Sequence, residues 1–162
     1  MTFILLYLLL FICQRQYYDG PHPLIATGND ETSDVEELEL LRARPGALEA
    51  LSEIKSRGIS QCTCSDGDLE NLKINLEEAG IDWTDFFDDL YQMTSWKPKD
   101  FSYIIRDYQI SQYPQIKPEN LLVIGDNYIL DLAHAKKQGC QTLWVPESKG
   151  KISLEEIKRL IC

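Results

Sequence analysis

Two aspartates that follow a short apolar run are the strongest candidates for chemistry in this sequence. Asp126 follows the predicted buried strand Leu121–Ile124 after one glycine, and Asp131 lies five positions beyond it, near the start of a predicted helix. A hard cation such as Mg²⁺ is held by one or two carboxylates of this kind, together with substrate phosphate and water. Both aspartates are therefore candidate metal ligands, and Asp126 is also a candidate catalytic residue. Alternatively, Asp126 or Asn127 does no more than cap the helix.

Ser65 and Lys97 are two further candidates, each placed where a predicted strand or helix meets a turn. Ser65 follows the predicted strand Ile59–Cys64, where its hydroxyl can cap the next helix, and N–H groups at a helix start also attract anions. Lys97 precedes Pro98, which is predicted to open an amphipathic helix. Taken alone, Lys97 is most simply a solvated surface lysine.

The elements that must position these residues alternate between strands and helices. An amphipathic helix is predicted from Pro45 to Gly58, further helical turns cover residues 69–90, and another helix is predicted at Tyr128–Gln138 before a strand at Thr142–Val145. Such alternation predicts βαβ crossovers: an α/β fold with a three-layer, Rossmann-like parallel sheet and helices on both faces. In such sheets the chemistry gathers at the carboxyl ends of the strands.

Length and composition favour one domain with an ordinary hydrophobic core. A chain of 162 residues that is 44% hydrophobic and 26% charged predicts a single domain over residues 1–162, with a loop or small insertion at residues 14–44. The net charge of −10 argues against binding to nucleic acid through bulk charge. Five cysteines without the spacing of a zinc site fit a reducing cytoplasm.

The apolar N-terminal run, Phe3–Cys13, has two interpretations. A strand that is buried on both faces of a parallel sheet is a continuous apolar run of this kind. A signal or anchor at residues 1–13 would instead make the protein exported or membrane-associated. The run is too short to span a membrane and lacks both a basic region and a small-residue cleavage site, so we favour a strand in a cytoplasmic protein.

Three segments together resemble motifs of the haloacid dehalogenase-like (HAD) hydrolase superfamily. The stretch Leu121–Gly139 resembles the fourth motif, a strand followed by GDxxxxD and a helix that ends in glycine. Trp96–Lys99 resembles the third motif, in which the lysine before proline steadies a phosphorylated intermediate, and this implies that role for Lys97. Residues 45–67 resemble the second motif and place Ser65 where a hydroxyl binds phosphate. The resemblance implies a HAD-like fold, Mg²⁺ as the cofactor and a phosphorylated substrate.

The first motif of the family, DxDGT after the first strand, has no counterpart in this sequence. In the family, one aspartate attacks phosphorus and the second protonates the leaving group. If the apolar run is the first strand, the aligned positions are Tyr7 and Leu9, neither of which can act as a carboxylate nucleophile. A later register would keep the second aspartate as Asp19 and replace the nucleophile with Tyr17, but it requires a strand through Gln14–Gln16.

Two functions remain open from the sequence. The first is magnesium-dependent hydrolysis of phosphate monoesters by a HAD-like phosphatase. The second is a catalytically inactive HAD-fold protein that binds a partner or a phosphorylated ligand. Only about thirty residues separate Ser65 from Lys97, which leaves no room for a substantial cap domain between them. Resemblance to capless members then implies an open site and a large substrate such as a phosphoprotein, or an oligomer that covers the site.

Overall fold

The computed structural model describes residues 4–8, 13–17, 39–65, 68–93, 99–111 and 113–161. Within these residues the chain forms a five-stranded sheet and a two-stranded sheet. The strands are β1 (Ile4–Leu8), β2 (Cys13–Tyr17), β3 (Glu39–Ala43), β4 (Ser60–Ser65), β5 (Asp89–Gln92), β6 (Leu121–Gly125) and β7 (Gln141–Trp144). The larger sheet has the order β5-β4-β1-β6-β7, and all its neighbouring strands are parallel. This confirms the predicted α/β, Rossmann-like parallel sheet.

Strand β1 lies at the centre of the larger sheet. It pairs with β4 on one side, where Leu8 is opposite Cys64, and with β6 on the other, where Tyr7 is opposite Ile124. A strand with partners on both sides has no free edge, and a continuous apolar sequence is typical of that position. The strand predicted for the apolar N-terminal run is therefore present at Ile4–Leu8.

Strands β2 and β3 form a separate antiparallel pair, with Cys13 opposite Ala43 and Tyr17 opposite Glu39. The loop or small insertion predicted at residues 14–44 therefore begins and ends with strands, and its status as an insertion stays a prediction. The polar sequence of β2 carries little strand signal by itself, and pairing with β3 supplies its backbone hydrogen bonds. The strand through Gln14–Gln16 that the later register requires is present as β2, but it lies in the two-stranded sheet and not in the parallel sheet, so this register does not bring Tyr17 to the carboxyl edge of the parallel sheet. Asp19 lies outside the described residues.

Helices pack on both faces of the parallel sheet. They are α1 (Ala47–Ser56), α2 (Leu69–Glu78), α3 (Trp83–Phe86), α4 (Ser102–Ser111), α5 (Ala133–Lys137) and α6 (Leu154–Ile161). Among the described residues, no helix combines the length and the apolar character needed to cross a membrane. The proposal of one domain over residues 1–162 stays a prediction.

Strand β6 shows how the two faces are filled. Leu122 and Ile124 belong to one buried cluster with residues of α1, α2 and α6, whereas Leu121 and Val123 belong to a second cluster with residues of α4 and α5. All four side chains are buried. Burial of one such side chain contributes about 1.5–3 kcal/mol to folding, so both layers of helices are held firmly against the strand that carries Asp126.

The prediction of helical turns over residues 69–90 is wrong for the last residues of this range. Helix α3 stops at Phe86, and Asp89–Gln92 forms the edge strand β5. The Asp88 N–H donates to the Gln61 carbonyl oxygen at 2.8 Å, and the Gln61 N–H donates to the Asp88 carboxylate at 3.1 Å. These long-range hydrogen bonds to β4 hold the segment in an extended conformation. They cannot be predicted from the local sequence.

Candidate functional site

Ser65 and Asp126 lie at the same level of the carboxyl edge of the sheet. Cys64 is opposite Leu8, and Ile124 is opposite Tyr7, so that Ser65 and Asp126 both fall at the level just beyond Leu8. Two of the residues singled out from the sequence are thus placed on either side of the central strand. This is the edge at which parallel sheets usually carry their functional groups.

Asp126 is a partly buried carboxylate with no cation in contact with it among the described residues. Burial is the main cause that raises its pKa, and the nearby negative charge of Asp131 raises it further. Backbone N–H groups of Asp126 and Asn127 and the charge of Arg44 act in the opposite direction, but the net pKa is above the ordinary value. A divalent cation at this carboxylate would remove both unfavourable contributions.

The loop that leaves β6 is fixed by its own side chains. Asn127 Oδ1 accepts hydrogen bonds from the N–H groups of Ile129 at 3.1 Å and Leu130 at 3.0 Å. The Asn127 N–H in turn donates to Asp131 Oδ2 at 3.1 Å. Asn127 therefore caps the following turn, and Asp126 remains available for another role.

The segment after Asn127 differs from the helix predicted at Tyr128–Gln138. Tyr128–Leu132 is a π-helical turn, and α5 begins only at Ala133. A π-helical turn widens the backbone locally and is frequent at functional sites. The Leu130 carbonyl oxygen in this turn accepts a hydrogen bond from the Lys99 N–H, a partner outside the helix.

Asp131 forms a buried ion pair with Lys99. The Lys99 Nζ and Asp131 Oδ1 atoms are 2.6 Å apart, and the two side chains are only 7% and 4% exposed. The Lys99 N–H also donates to the Leu130 carbonyl oxygen at 2.9 Å. Both oxygens of Asp131 thus accept hydrogen bonds from the protein, and the role of Asp131 as a metal ligand stays a prediction.

Lys99 is a residue that the sequence analysis missed. The resemblance pointed to Lys97, which lies outside the described residues together with Pro98. The available signal was weak, because Lys99 differs from a surface lysine only through the distant Asp131, 32 positions along the chain. The role of Lys97 as a phosphate contact stays a prediction.

Ser65 is buried at the end of β4, and its carbonyl oxygen accepts a hydrogen bond from the Met93 N–H at 2.8 Å. The following helix is capped instead by Asp68, whose Oδ1 accepts hydrogen bonds from the N–H groups of Glu70 and Asn71, both at 3.0 Å. Capping of α2 therefore does not explain Ser65. Its phosphate-binding role stays a prediction that this position favours.

Arg44 is a second residue that the sequence analysis missed. It follows β3, is 2% exposed, and donates to the carbonyl oxygens of Pro146 at 3.1 Å and Val145 at 3.5 Å. Its positive charge lowers the pKa of Asp126, against the larger effect of burial. Arg44 therefore fixes the segment that follows β7 and adds positive potential beside the candidate site. Its position before the Pro45-Gly46 turn was its only sequence signal.

The candidate site offers few ligands, but they are of the kind that a hard divalent cation prefers. Asp126 offers carboxylate oxygens, the ligands that Mg²⁺ prefers, and Mg²⁺ commonly uses one or two carboxylates with water and substrate phosphate. The described residues contain no group of three or more histidine, cysteine, aspartate or glutamate side chains arranged to hold a metal. The role of Asp126 as a metal ligand stays a prediction that its carboxylate chemistry fits.

The sequence of this chain matches the model of a known protein family. The family model for haloacid dehalogenase-like hydrolases matches residues 13–139. This match covers most of the chain and includes Ser65, Lys97, Asp126 and Asp131. The chain therefore belongs to the haloacid dehalogenase-like hydrolase family. A search of curated proteins finds no match.

Solved structures agree on the fold. An uncharacterized protein of Listeria monocytogenes serotype 4b matches with a TM-score of 0.61 and 19% identity, over 93% of this chain and 82% of that one. The core domain of a Streptococcus pneumoniae protein assigned as a phosphoglycolate phosphatase matches with a TM-score of 0.55 and 20% identity, over 99% and 96%. YfnB of Bacillus subtilis, assigned as a HAD-hydrolase and solved with magnesium, matches with a TM-score of 0.54 and 22% identity. The alignment covers 72% of this chain but only 54% of YfnB.

Proposed function

We propose that the protein is a magnesium-dependent hydrolase of phosphate monoesters, with Asp126 as the metal ligand at the carboxyl edge of the sheet. The observation that carries this proposal is Asp126 itself. It is a partly buried carboxylate after a central strand, and burial and Asp131 raise its pKa in the absence of a cation. Carboxylates with a pKa perturbed in this way are concentrated at functional sites, and a bound cation would offset the unfavourable environment.

The remaining roles follow from the positions of the other candidates. Ser65, at the level of Asp126, would donate its hydroxyl hydrogen to a phosphate oxygen, and Lys97 would supply positive charge to the same group. Lys99 holds Asp131, and through it the loop that carries Asp126, in one conformation. Bound Mg²⁺ would neutralise part of the phosphate charge and orient the ester.

A second function is favoured by the end of β1. The five residues of β1 contain no carboxylate, and Leu9 and Leu10 follow them in the sequence. A nucleophilic carboxylate divides phosphoryl transfer into two easier steps, so its loss removes a large part of the catalytic power. The second candidate is therefore a protein that binds Mg²⁺ and a phosphorylated ligand without turnover.

The substrate is proposed to reach an open site. Residues 68–93 between β4 and Lys99 form α2, α3 and β5, so this part of the described chain contains no cap domain. An open edge admits a large substrate such as a phosphoprotein, or is covered by a second copy in an oligomer. Cys62 and Cys140 are buried free thiols, which supports a cytoplasmic location.

Hydrolysis of a generic aryl phosphate with and without Mg²⁺ tests the proposal. We expect turnover that requires Mg²⁺ in the wild type and is lost in Asp126→Asn. Asp68→Asn is the matched control, because Asp68 also follows a strand of the sheet but serves as an exposed helix cap. Equal background rates in the wild type and Asp126→Asn would reject hydrolysis. Magnesium binding that persists in the wild type alone would then favour the second function.

A further inference from the structure

A patch of exposed apolar side chains borders the candidate site. Tyr128, Ile129 and Trp144 are 48%, 71% and 52% exposed, although large apolar residues are usually buried. Tyr128 and Ile129 begin the π-helical turn that follows Asn127, and Trp144 ends β7 opposite Gly125. These three residues, called the rim here, therefore surround the exit of β6.

The rim is joined to Asp126 by a direct contact. The Trp144 indole N–H donates to the Asp126 carbonyl oxygen at 2.8 Å. The rings of Tyr128 and Trp144 meet edge to face, with centroids 6.1 Å apart and an interplanar angle of 67°. Tyr128 and Trp144 thus hold two partly exposed aromatic rings in defined orientations next to the backbone of Asp126.

The chemistry of the rim selects the kind of group that it can bind. The three side chains carry no charge, and the indole N–H is already used by Asp126, so a charged or strongly polar leaving group gains little there. A further aromatic ring would extend the edge-to-face pair that Tyr128 and Trp144 already make. The net charge of −10 argues against a polyanionic ligand.

We propose that the rim binds the leaving group of the substrate, and that it favours phosphate monoesters whose ester oxygen carries an aromatic ring. This inference rests on the proposed function, because the phosphate must lie at Asp126 for the ring to reach Trp144. It adds the class of ester that the open site prefers and the residues that set this preference.

Equilibrium binding separates the inference from catalysis. Phenyl, cyclohexyl and methyl phosphate are titrated calorimetrically into the full chain with saturating Ca²⁺ in place of Mg²⁺, so that the esters bind beside a divalent cation without Mg²⁺-dependent turnover. The titrations are done at about pH 8, where all three esters are dianions. Phenyl and cyclohexyl phosphate are similar in size and differ in aromaticity, whereas methyl phosphate reports the phosphate site alone. We expect phenyl phosphate to bind about three- to tenfold more tightly than cyclohexyl phosphate.

Substitutions in the rim test which residues carry the preference. Trp144→Leu should abolish the difference between phenyl and cyclohexyl phosphate, and Trp144→Phe should keep part of it, although both variants lose the bond to Asp126. Ile110→Ser is the matched control, since Ile110 is 76% exposed but lies near the end of α4, outside the rim. Its ratio of affinities should equal that of the wild type.

The outcomes distinguish the two proposals. Equal binding of phenyl and cyclohexyl phosphate by the wild type, or an unchanged ratio in Trp144→Leu, would overturn the inference while the phosphate site stands. If none of the three esters binds, the proposed function fails and the inference fails with it.

Discussion

The ends of β6 and β1 are neighbours in the sheet, yet they are built in opposite ways. Beyond β6, Asp126 is partly buried, and the loop behind it is fixed by Asn127, Asp131 and Lys99. Beyond β1, the sequence continues with Leu9 and Leu10 and offers no acidic side chain before Asp19. The end of β6 thus retains the residue proposed to hold the metal, whereas the sequence after β1 lacks the nucleophile of the family's first motif.

Physical reasons explain why one side can persist without the other. The loop after β6 contributes to folding, because the ion pair and the caps that position Asp126 also satisfy buried polar groups. The comparison therefore predicts which substitutions create activity, which unfold the protein and which change only metal binding.

The largest change is expected from making the end of β1 resemble the family. Tyr7→Asp combined with Leu9→Asp should raise magnesium-dependent hydrolysis of an aryl phosphate by about 10²–10⁴-fold, because a nucleophile and an acid are added at the positions that align with the family's first motif. Initial rates at several Mg²⁺ concentrations measure the gain. The Tyr7→Asn and Leu9→Asn pair controls for polarity without charge. A folded aspartate variant with no gain would contradict the alignment of these positions.

Breaking the ion pair behind β6 should mainly reduce stability. Lys99→Met leaves Asp131 as a buried charge without its lysine, and we expect the free energy of unfolding to fall by about 3–5 kcal/mol in urea titrations. Adding Asp131→Leu should recover most of this loss. Lys149→Met is the control, because its pair with Glu156 is exposed and should contribute less than about 1 kcal/mol. A similar loss of unfolding free energy in both lysine variants would show that the buried ion pair of Lys99 contributes no more to stability than an exposed one.

Magnesium should stabilise the protein through Asp126. At tenfold excess over its dissociation constant, Mg²⁺ should add about 1.4 kcal/mol to the free energy of unfolding of the wild type and nothing to that of Asp126→Asn. Thermal unfolding with and without the cation measures this difference. A stabilising effect of Mg²⁺ that survives in Asp126→Asn would place the cation elsewhere.

The same pair of proteins has a predicted pH dependence without Mg²⁺. Because burial raises the pKa of Asp126 in the folded state, its contribution to stability is favourable below the unfolded pKa and is lost as the pH rises through the folded value. Asp126→Asn should therefore be more stable than the wild type at neutral pH. The difference should disappear in acid, and a constant difference from acid to neutral pH would exclude this explanation.

The smallest effect should come from the two side chains that cap helical turns. Asn127→Ala and Asp68→Ala each remove a cap that accepts two backbone hydrogen bonds, and each should cost about 1 kcal/mol in urea titrations. Only Asn127→Ala should also weaken Mg²⁺ binding, because Asn127 lies next to Asp126. Equal Mg²⁺ affinities in the two variants would show that the loop after β6 does not need this cap.

Part of this site could be predicted from local pattern. A strand ending in Gly125-Asp126 and another ending in Ser65 must place both residues at the carboxyl edge, because parallel strands share their direction. The pairing of β1 with β4 and β6 then sets their common level. Lys99 and Arg44 could not be found in this way. Lys99 pairs with Asp131, 32 positions away, and Arg44 donates to the carbonyl oxygen of Val145, 101 positions away. A basic residue without a nearby acidic partner in the sequence is most often solvated.

The alternation of strands and helices, the family, and the lack of an acidic residue near the first strand can all be recognised from the sequence without the structure. These features follow from apolar periodicity and residue identity, which act locally. Three features become apparent only in the folded chain: the separate β2–β3 pair, the strand β5, and the buried ion pair of Lys99 with Asp131. Each of these depends on hydrogen bonds or charges that the fold brings together from distant segments, and their free energy exists only once the sheet has formed.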